Sequence, residues 1–161
     1  MKKVYVLVVM AVLMSSMAKA GDFGLGIVLG DPTGLSFKVW TGKTTAIDGG
    51  FAWSFGKYDA VHLHVDYLFH SMNLAQITSN NWLYMHYGIG GRFIAAGKDD
   101  KVVADDENDT KARIGVRVPI GVDYRLKTTP IDFFIEIAPV FDLVPETELS
   151  FNAGIGVRYY F

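Results

Sequence analysis

The sequence predicts an all-β protein, an up-and-down antiparallel transmembrane β-barrel of about eight strands behind a cleaved N-terminal signal peptide. Three observations carry this expectation. Apolar and polar residues alternate with a period of two in eight separate stretches, and nothing after the first twenty residues sustains a helical period. One side of each alternating stretch is large and apolar, while the other is small or charged. Half of the 161 residues are hydrophobic, yet the single continuous apolar run falls well short of the roughly 20 residues that a helix needs to cross a bilayer.

That run begins the chain. Met1-Lys2-Lys3 supplies a positive start, Val4 to Met14 is unbroken apolar sequence, and Ala18-Lys19-Ala20 has the small-x-small form that signal peptidase reads. Cleavage is expected between Ala20 and Gly21, which makes 1–20 the signal peptide and 21–161 the barrel domain. The chain has no cysteine, which excludes a lipid-acylated leader, a disulfide framework and a thiolate metal site. Loss of Lys2, Lys3 and Lys19 leaves 12 basic against 17 acidic side chains, so the mature protein is mildly acidic and carries no footprint for nucleic acid.

The elements follow in order. Strands at 22–29 and 34–41 flank Gly30-Asp31-Pro32-Thr33-Gly34, and Thr41-Gly42-Lys43-Thr44 leads into a third at 45–55. Gly56-Lys57-Tyr58-Asp59 precedes the clearest strand, 60–70, where the odd positions from Val61 to Phe69 are all large and apolar and His62, His64 and Asp66 fall between them. A longer connection, 71–81, leads to a strand at 82–95. The next connection, 96–111, holds Asp99, Asp100, Asp105, Asp106, Glu107 and Asp109 and reads as a solvated loop. Strands at 112–125, 131–142 and 149–161 complete the set, separated by Thr128-Thr129-Pro130 and Pro145-Glu146-Thr147. Pro119 and Pro139 lack the N–H that a sheet ladder uses. A bulge is expected near one of them, and the faces beyond Pro139 are open to a one-residue slip.

Side-chain volume decides which face points outward. A barrel of about eight strands has an interior just wide enough for its own side chains, and roughly forty large apolar groups would overfill it. Glycines with a few long charged residues fit. The apolar face is therefore expected to meet lipid, since a surface of that kind in water would aggregate. An even strand count puts both termini at one end, assigned to the periplasm together with the connections at 41–44, 71–81 and 126–130. Phe23, Tyr67, Phe69, Tyr124, Phe133, Tyr159 and Phe161 form one expected aromatic girdle, and Trp53, Phe55, Phe93, Phe141 and Phe151 the other.

The last residues, Gly154-Ile155-Gly156-Val157-Arg158-Tyr159-Tyr160-Phe161, resemble the terminal signal of bacterial outer-membrane barrels, with Gly156, Tyr159 and Phe161 as its key positions. Gly154 stands where a polar residue is usual. With Gly30-Asp31-Pro32-Thr33-Gly34 and Gly88-Ile89-Gly90-Gly91-Arg92, the mature chain is similar to an uncharacterised family of small eight-stranded bacterial outer-membrane β-barrel proteins. The resemblance implies residence in the outer membrane, contact with its lipid, and handling by periplasmic chaperones and the barrel-assembly machinery. The expected role is structural or surface-interacting, in a monomer with a plugged, non-conducting lumen and no cofactor. The 96–111 loop is the candidate contact for an extracellular ligand.

The interior is expected to hold a charge network of Lys38, Asp48, Asp66, Arg92, Arg113, Arg117, Asp123, Asp132, Glu136 and Arg158, near enough to balance for cross-strand ion pairs. All four histidines fall on the same inner face. Pairing the fourth and fifth strands about the middle of 71–81 sets His86 opposite Asp66 and within reach of His64. His62, His64 and His86 are then the candidate ligands for zinc or copper, although interior imidazoles in a polar network usually just hydrogen-bond. No catalytic set is visible: His70 and Ser71 are adjacent, so their side chains diverge. Two other readings follow from small barrels in general, a lipid A-modifying outer-membrane enzyme and a soluble periplasmic ligand-binding barrel, and the second requires an apolar interior.

Overall fold

The computed structural model describes residues 21–54, 60–75, 81–96 and 111–161. The expected signal peptide with its expected cleavage site at Ala20, Phe55, and nearly all of the acidic 96–111 connection lie outside the described residues. Nine strands are present: β1 (Phe23–Asp31), β2 (Gly34–Trp40), β3 (Thr45–Ser54), β4 (Ala60–Ala75), β5 (Asn81–Ala96), β6 (Lys111–Arg117), β7 (Ile120–Leu126), β8 (Ile131–Val144) and β9 (Glu148–Tyr160). All pairings are antiparallel. β1 pairs with β2, then β3, β4 and β5 follow; β5 pairs with both β6 and β7, both pair with β8, and β9 closes onto β1. The sheet is a closed barrel with no free edge.

Nine strands make eight crossings because β6 and β7 are one crossing with a break. Arg117 pairs with Gly90 and Val140, and Ile120 pairs with Tyr87 and Ile137, so the register is the same on both sides of Val118–Pro119. Pro119 has no N–H to give the ladder. Its carbonyl still accepts from the Gly88 N–H at 3.0 Å, and the Val118 N–H donates to the Pro139 carbonyl at 3.0 Å, which keeps the wall closed. Pro139 causes no slip. Val140 and Asp142 stay inside and Phe141 outside, and the register of β8 against β6 shifts only beyond Asp142.

The 71–81 connection is shorter than the sequence suggests. β4 runs on to Ala75 and β5 begins at Asn81, with a register shift between Ser71 and Ala75. Both termini meet at one end of the barrel. The Gly21 N–H donates to the Phe161 carbonyl, the Trp40 N–H to the Asp22 carbonyl at 2.9 Å, and the Tyr160 N–H to the Pro130 carbonyl at 2.8 Å. The β2–β3 and β7–β8 turns therefore share the end that carries the termini.

The outer surface is apolar. Ile27, Val65, Ile89, Ile135, Ile137 and Ile155 belong to a belt of exposed large hydrophobic side chains drawn from every strand. Aromatic rings gather near the terminal end, where Phe69 stacks on Tyr87 with centroids 5.8 Å apart and Tyr159 meets Phe161 at 5.1 Å. Glycine makes room inside. A Cβ on Gly121 would lie 2.5 Å from the His86 ring, and one on Gly156 would lie 2.3 Å from the Phe134 ring, so each glycine seats a large neighbour across the ladder.

Candidate functional site

The lumen is the candidate site, because nearly every described strand-borne charge points into it and pairs there. Toward the end away from the termini, Arg92 on β5 donates to Asp142 on β8 at 2.5 and 2.7 Å and to Ser150 Oγ at 2.8 Å, with Asn152 Oδ1 at 3.4 Å. His62 and His64 occupy adjacent inward positions on β4, their rings 5.6 Å apart. In the middle, Arg117 on β6 reaches Asp66 on β4 at 3.0 Å and forms a short ion pair with Glu136 on β8.

The terminal half is denser. Arg158 on β9 donates to Asp48 on β3 at 2.5 Å and to Ser36 Oγ at 3.0 Å, lies over the Phe134 ring at 3.7 Å, and has Asp123 and Asp132 within 3.8 Å. Asp123 on β7 is the hub. Its Oδ2 meets Lys38 Nζ at 3.1 Å, His70 Nε2 at 3.4 Å and His86 Nδ1 at 2.6 Å. The other nitrogen of His86 faces Glu136 at 3.2 Å. β2 and β7 lie on opposite sides of the barrel, so the Lys38–Asp123 pair spans the whole lumen. Below this layer Arg125 covers Tyr160 at 4.4 Å, and Trp40 packs on His70 at 4.4 Å. A cavity of about 20 Å³ remains between Asp48, His64, Arg117, Glu136 and Arg158, space for about one water.

Three sequence expectations need correction. Arg113 does not join the interior network: its side chain is 51% exposed at the loop end, 3.9 Å from the equally exposed Glu148. His86 does not face Asp66 or approach His64. The longer β4 and β5 move the pairing axis toward residue 78, so His86 pairs with His70, His64 with Arg92 and Asp66 with Gly90. The metal candidates His62, His64 and His86 therefore separate, and the close set among described residues is His70, His86 and Asp123. Asp142 is a lumen residue that the alternation did not single out, and Asn152 and Tyr160, on the inner face of the last strand, join the network without having been named as candidates. Their even numbers put them on the inner face of β8 and β9, a signal obscured for Asp142 by the anticipated slip at Pro139.

The other inward residues, Lys38, Asp48, Asp66, Arg92, Arg117, Asp123, Asp132 and Arg158, are all buried, and Glu136 is nearly so. His70 is buried while Ser71 faces outward, so the two diverge. Gly156 lies in the β9 ladder opposite Val28 and Phe134, Tyr159 projects outward beside Leu25 and Ile131, and Phe161 lies just past β9, 6.4 Å from Phe23. A soluble ligand-binding barrel needs an apolar interior, and this one is charged.

The N-terminal β-barrel domain of Pseudomonas aeruginosa OprF has a similar structure, with a TM-score of 0.57 at 11% identity, 86% of this chain and 95% of that chain being covered. That likeness shows the fold. Neisserial surface protein A (NspA) matches with a TM-score of 0.46, 12% identity and coverage of 86% and 93%. Ail, the attachment invasion locus protein of Yersinia pestis, matches with a TM-score of 0.42, 14% identity and coverage of 86% and 93%. No curated protein matches the sequence. The closed barrel thus has the fold of the OprF N-terminal domain, and across residues 14–161 the chain belongs to the family described as Protein of unknown function (DUF3996).

Proposed function

We propose that the protein is exported, loses residues 1–20 after Ala20, and spans the bacterial outer membrane as a monomeric barrel of structural or surface-interaction type with a lumen closed to ions. One observation carries the reading: the outward faces are apolar on every strand, while most of the described charges of the wall turn inward and pair. Only lipid tolerates such an exterior. The closed lumen rests on pairs that cross it, Lys38 to Asp123 on the opposite wall and Arg158 to Asp48 three crossings away. The segment 96–111 is where an extracellular ligand would be met. Assembly would depend on Gly156, Tyr159 and Phe161, through chaperones and the assembly machinery.

The test combines cell fractionation with gel mobility before and after heating, on the native protein and on a Phe161 deletion. Outer-membrane residence, faster migration unheated, and loss of assembly without Phe161 are the expected results. A soluble periplasmic protein overturns the reading. Planar-bilayer recording is expected to find no steady conductance. Lipid A mass profiles with and without the gene are expected to be identical, and a changed profile would move the protein into the enzyme class.

A further inference from the structure

We propose that the terminal half of the lumen binds one divalent transition-metal ion of the zinc class through His70 Nε2, His86 Nδ1 and Asp123 Oδ2. The three donors come from adjacent strands of one rigid wall, with His70 directly opposite His86 in the β4–β5 ladder and Asp123 on the neighbouring β7. Donor atoms around a tetrahedral zinc ion lie about 3.3 Å apart. His70 Nε2 and Asp123 Oδ2 already stand 3.4 Å apart, and the 2.6 Å between His86 and Asp123 needs only a small opening. Two imidazoles and one carboxylate suit zinc or copper better than calcium or magnesium.

Three further features favour an ion at this point. His86 faces a carboxylate at each ring nitrogen, and a neutral imidazole has only one N–H to offer. A metal at Nδ1 with the Nε2 proton donated to Glu136 satisfies both, in the carboxylate–histidine–metal arrangement common to zinc sites. His70 is buried, its Nδ1 has no hydrogen-bond partner, and its Nε2 stands 3.4 Å from Asp123 Oδ2. With the imidazoles neutral, as ligation requires, and with Arg92 and Asp142 set aside as a pair, the buried and near-buried lumen charges described above are three cations against five carboxylates, a deficit that one dication cancels. Lys38 is the competitor, since its ammonium holds the same Asp123 oxygen at 3.1 Å. The Trp40 ring, 5.1 Å away, offers that ammonium a second seat. A bound ion would tie β4, β5 and β7 together as a staple within the lumen.

The experiment is titration of the folded, detergent-solubilised protein with Zn²⁺, each variant first checked for folding by heat-modifiable mobility. One equivalent is expected to bind, with Co²⁺ in its place giving the visible bands of a tetrahedral site. His70→Ala and His86→Ala should each weaken binding at least tenfold, while His62→Ala leaves it unchanged. Lys38→Met, which removes the competitor and leaves every ligand, should tighten it. Absence of a stoichiometric site overturns the proposal, as does binding that persists in both His70→Ala and His86→Ala or that fails with His62→Ala. Should an alanine variant not fold, the direction of the Lys38→Met change decides: tighter binding supports the site and unchanged or weaker binding overturns it.

Discussion

The two faces of each strand are held by different physics, and β8 displays both within fourteen residues. Outward, Phe133, Ile135, Ile137 and Phe141 are each about half exposed or more, and what they require of their surroundings is only that these be apolar. Inward, Asp132, Phe134, Glu136 and Asp142 each answer to a named partner: Tyr160, Arg158, Arg117 and Arg92. The outer face therefore tolerates exchange within a chemical class, whereas on the inner face removal of one charge leaves its partner buried and unpaired. A barrel wall of this kind carries its solvent preference on one side and its specificity on the other.

Four substitutions test that contrast, in order of expected effect. Arg158→Ala removes the cation shared by Asp48 and its neighbours and leaves buried acids unpaired, which costs about 3–5 kcal/mol; urea unfolding in lipid vesicles measures it, and a loss below 1 kcal/mol would deny the network its role. Ile135→Arg puts a charge on the outer face at a position 62% exposed. At mid-bilayer depth that costs about 2–4 kcal/mol by the same unfolding assay, whereas a neutral result would mean that water bathes the belt. Gly156→Ala pushes a methyl into the Phe134 ring and should cost about 1–3 kcal/mol, seen as a lower heat-modification temperature. Arg113→Ala is expected to change stability by less than about 1 kcal/mol, because its pair with Glu148 is exposed on both sides; a larger loss would return Arg113 to the interior set.

Much of the wall was legible from the chain. Period-two alternation located all eight crossings to within a few residues, since an inward and an outward position cannot be exchanged without moving a charge onto the apolar face. The volume argument placed glycine and charge together on the inside. The break at Pro119 followed from its missing N–H, without the bulge expected near one of the two prolines, and Pro139 stays in the β8–β9 ladder opposite Phe151 with no change of register.

The functional geometry was less legible. His70 was visible as an inward residue, but its meeting with His86 depends on where the β4–β5 ladder turns. A shift of two residues in that axis moves each partner by four and exchanges one set of neighbours for another. Arg113 had the right parity for the inside and still lies in the open, because parity fixes a side chain's face and says nothing of its depth along the barrel.

The sequence by itself determined that each strand has an apolar outer face and a polar lumen face, and which residues belong to each, because side-chain direction alternates strictly along an extended chain. Only the closed barrel decided which charges meet across the lumen. Lys38 and Asp123 come from opposite walls and are 85 positions apart in the chain, 3.1 Å apart in space. Such contacts depend on the stagger of every strand between them, and no local pattern encodes a sum over the whole circuit.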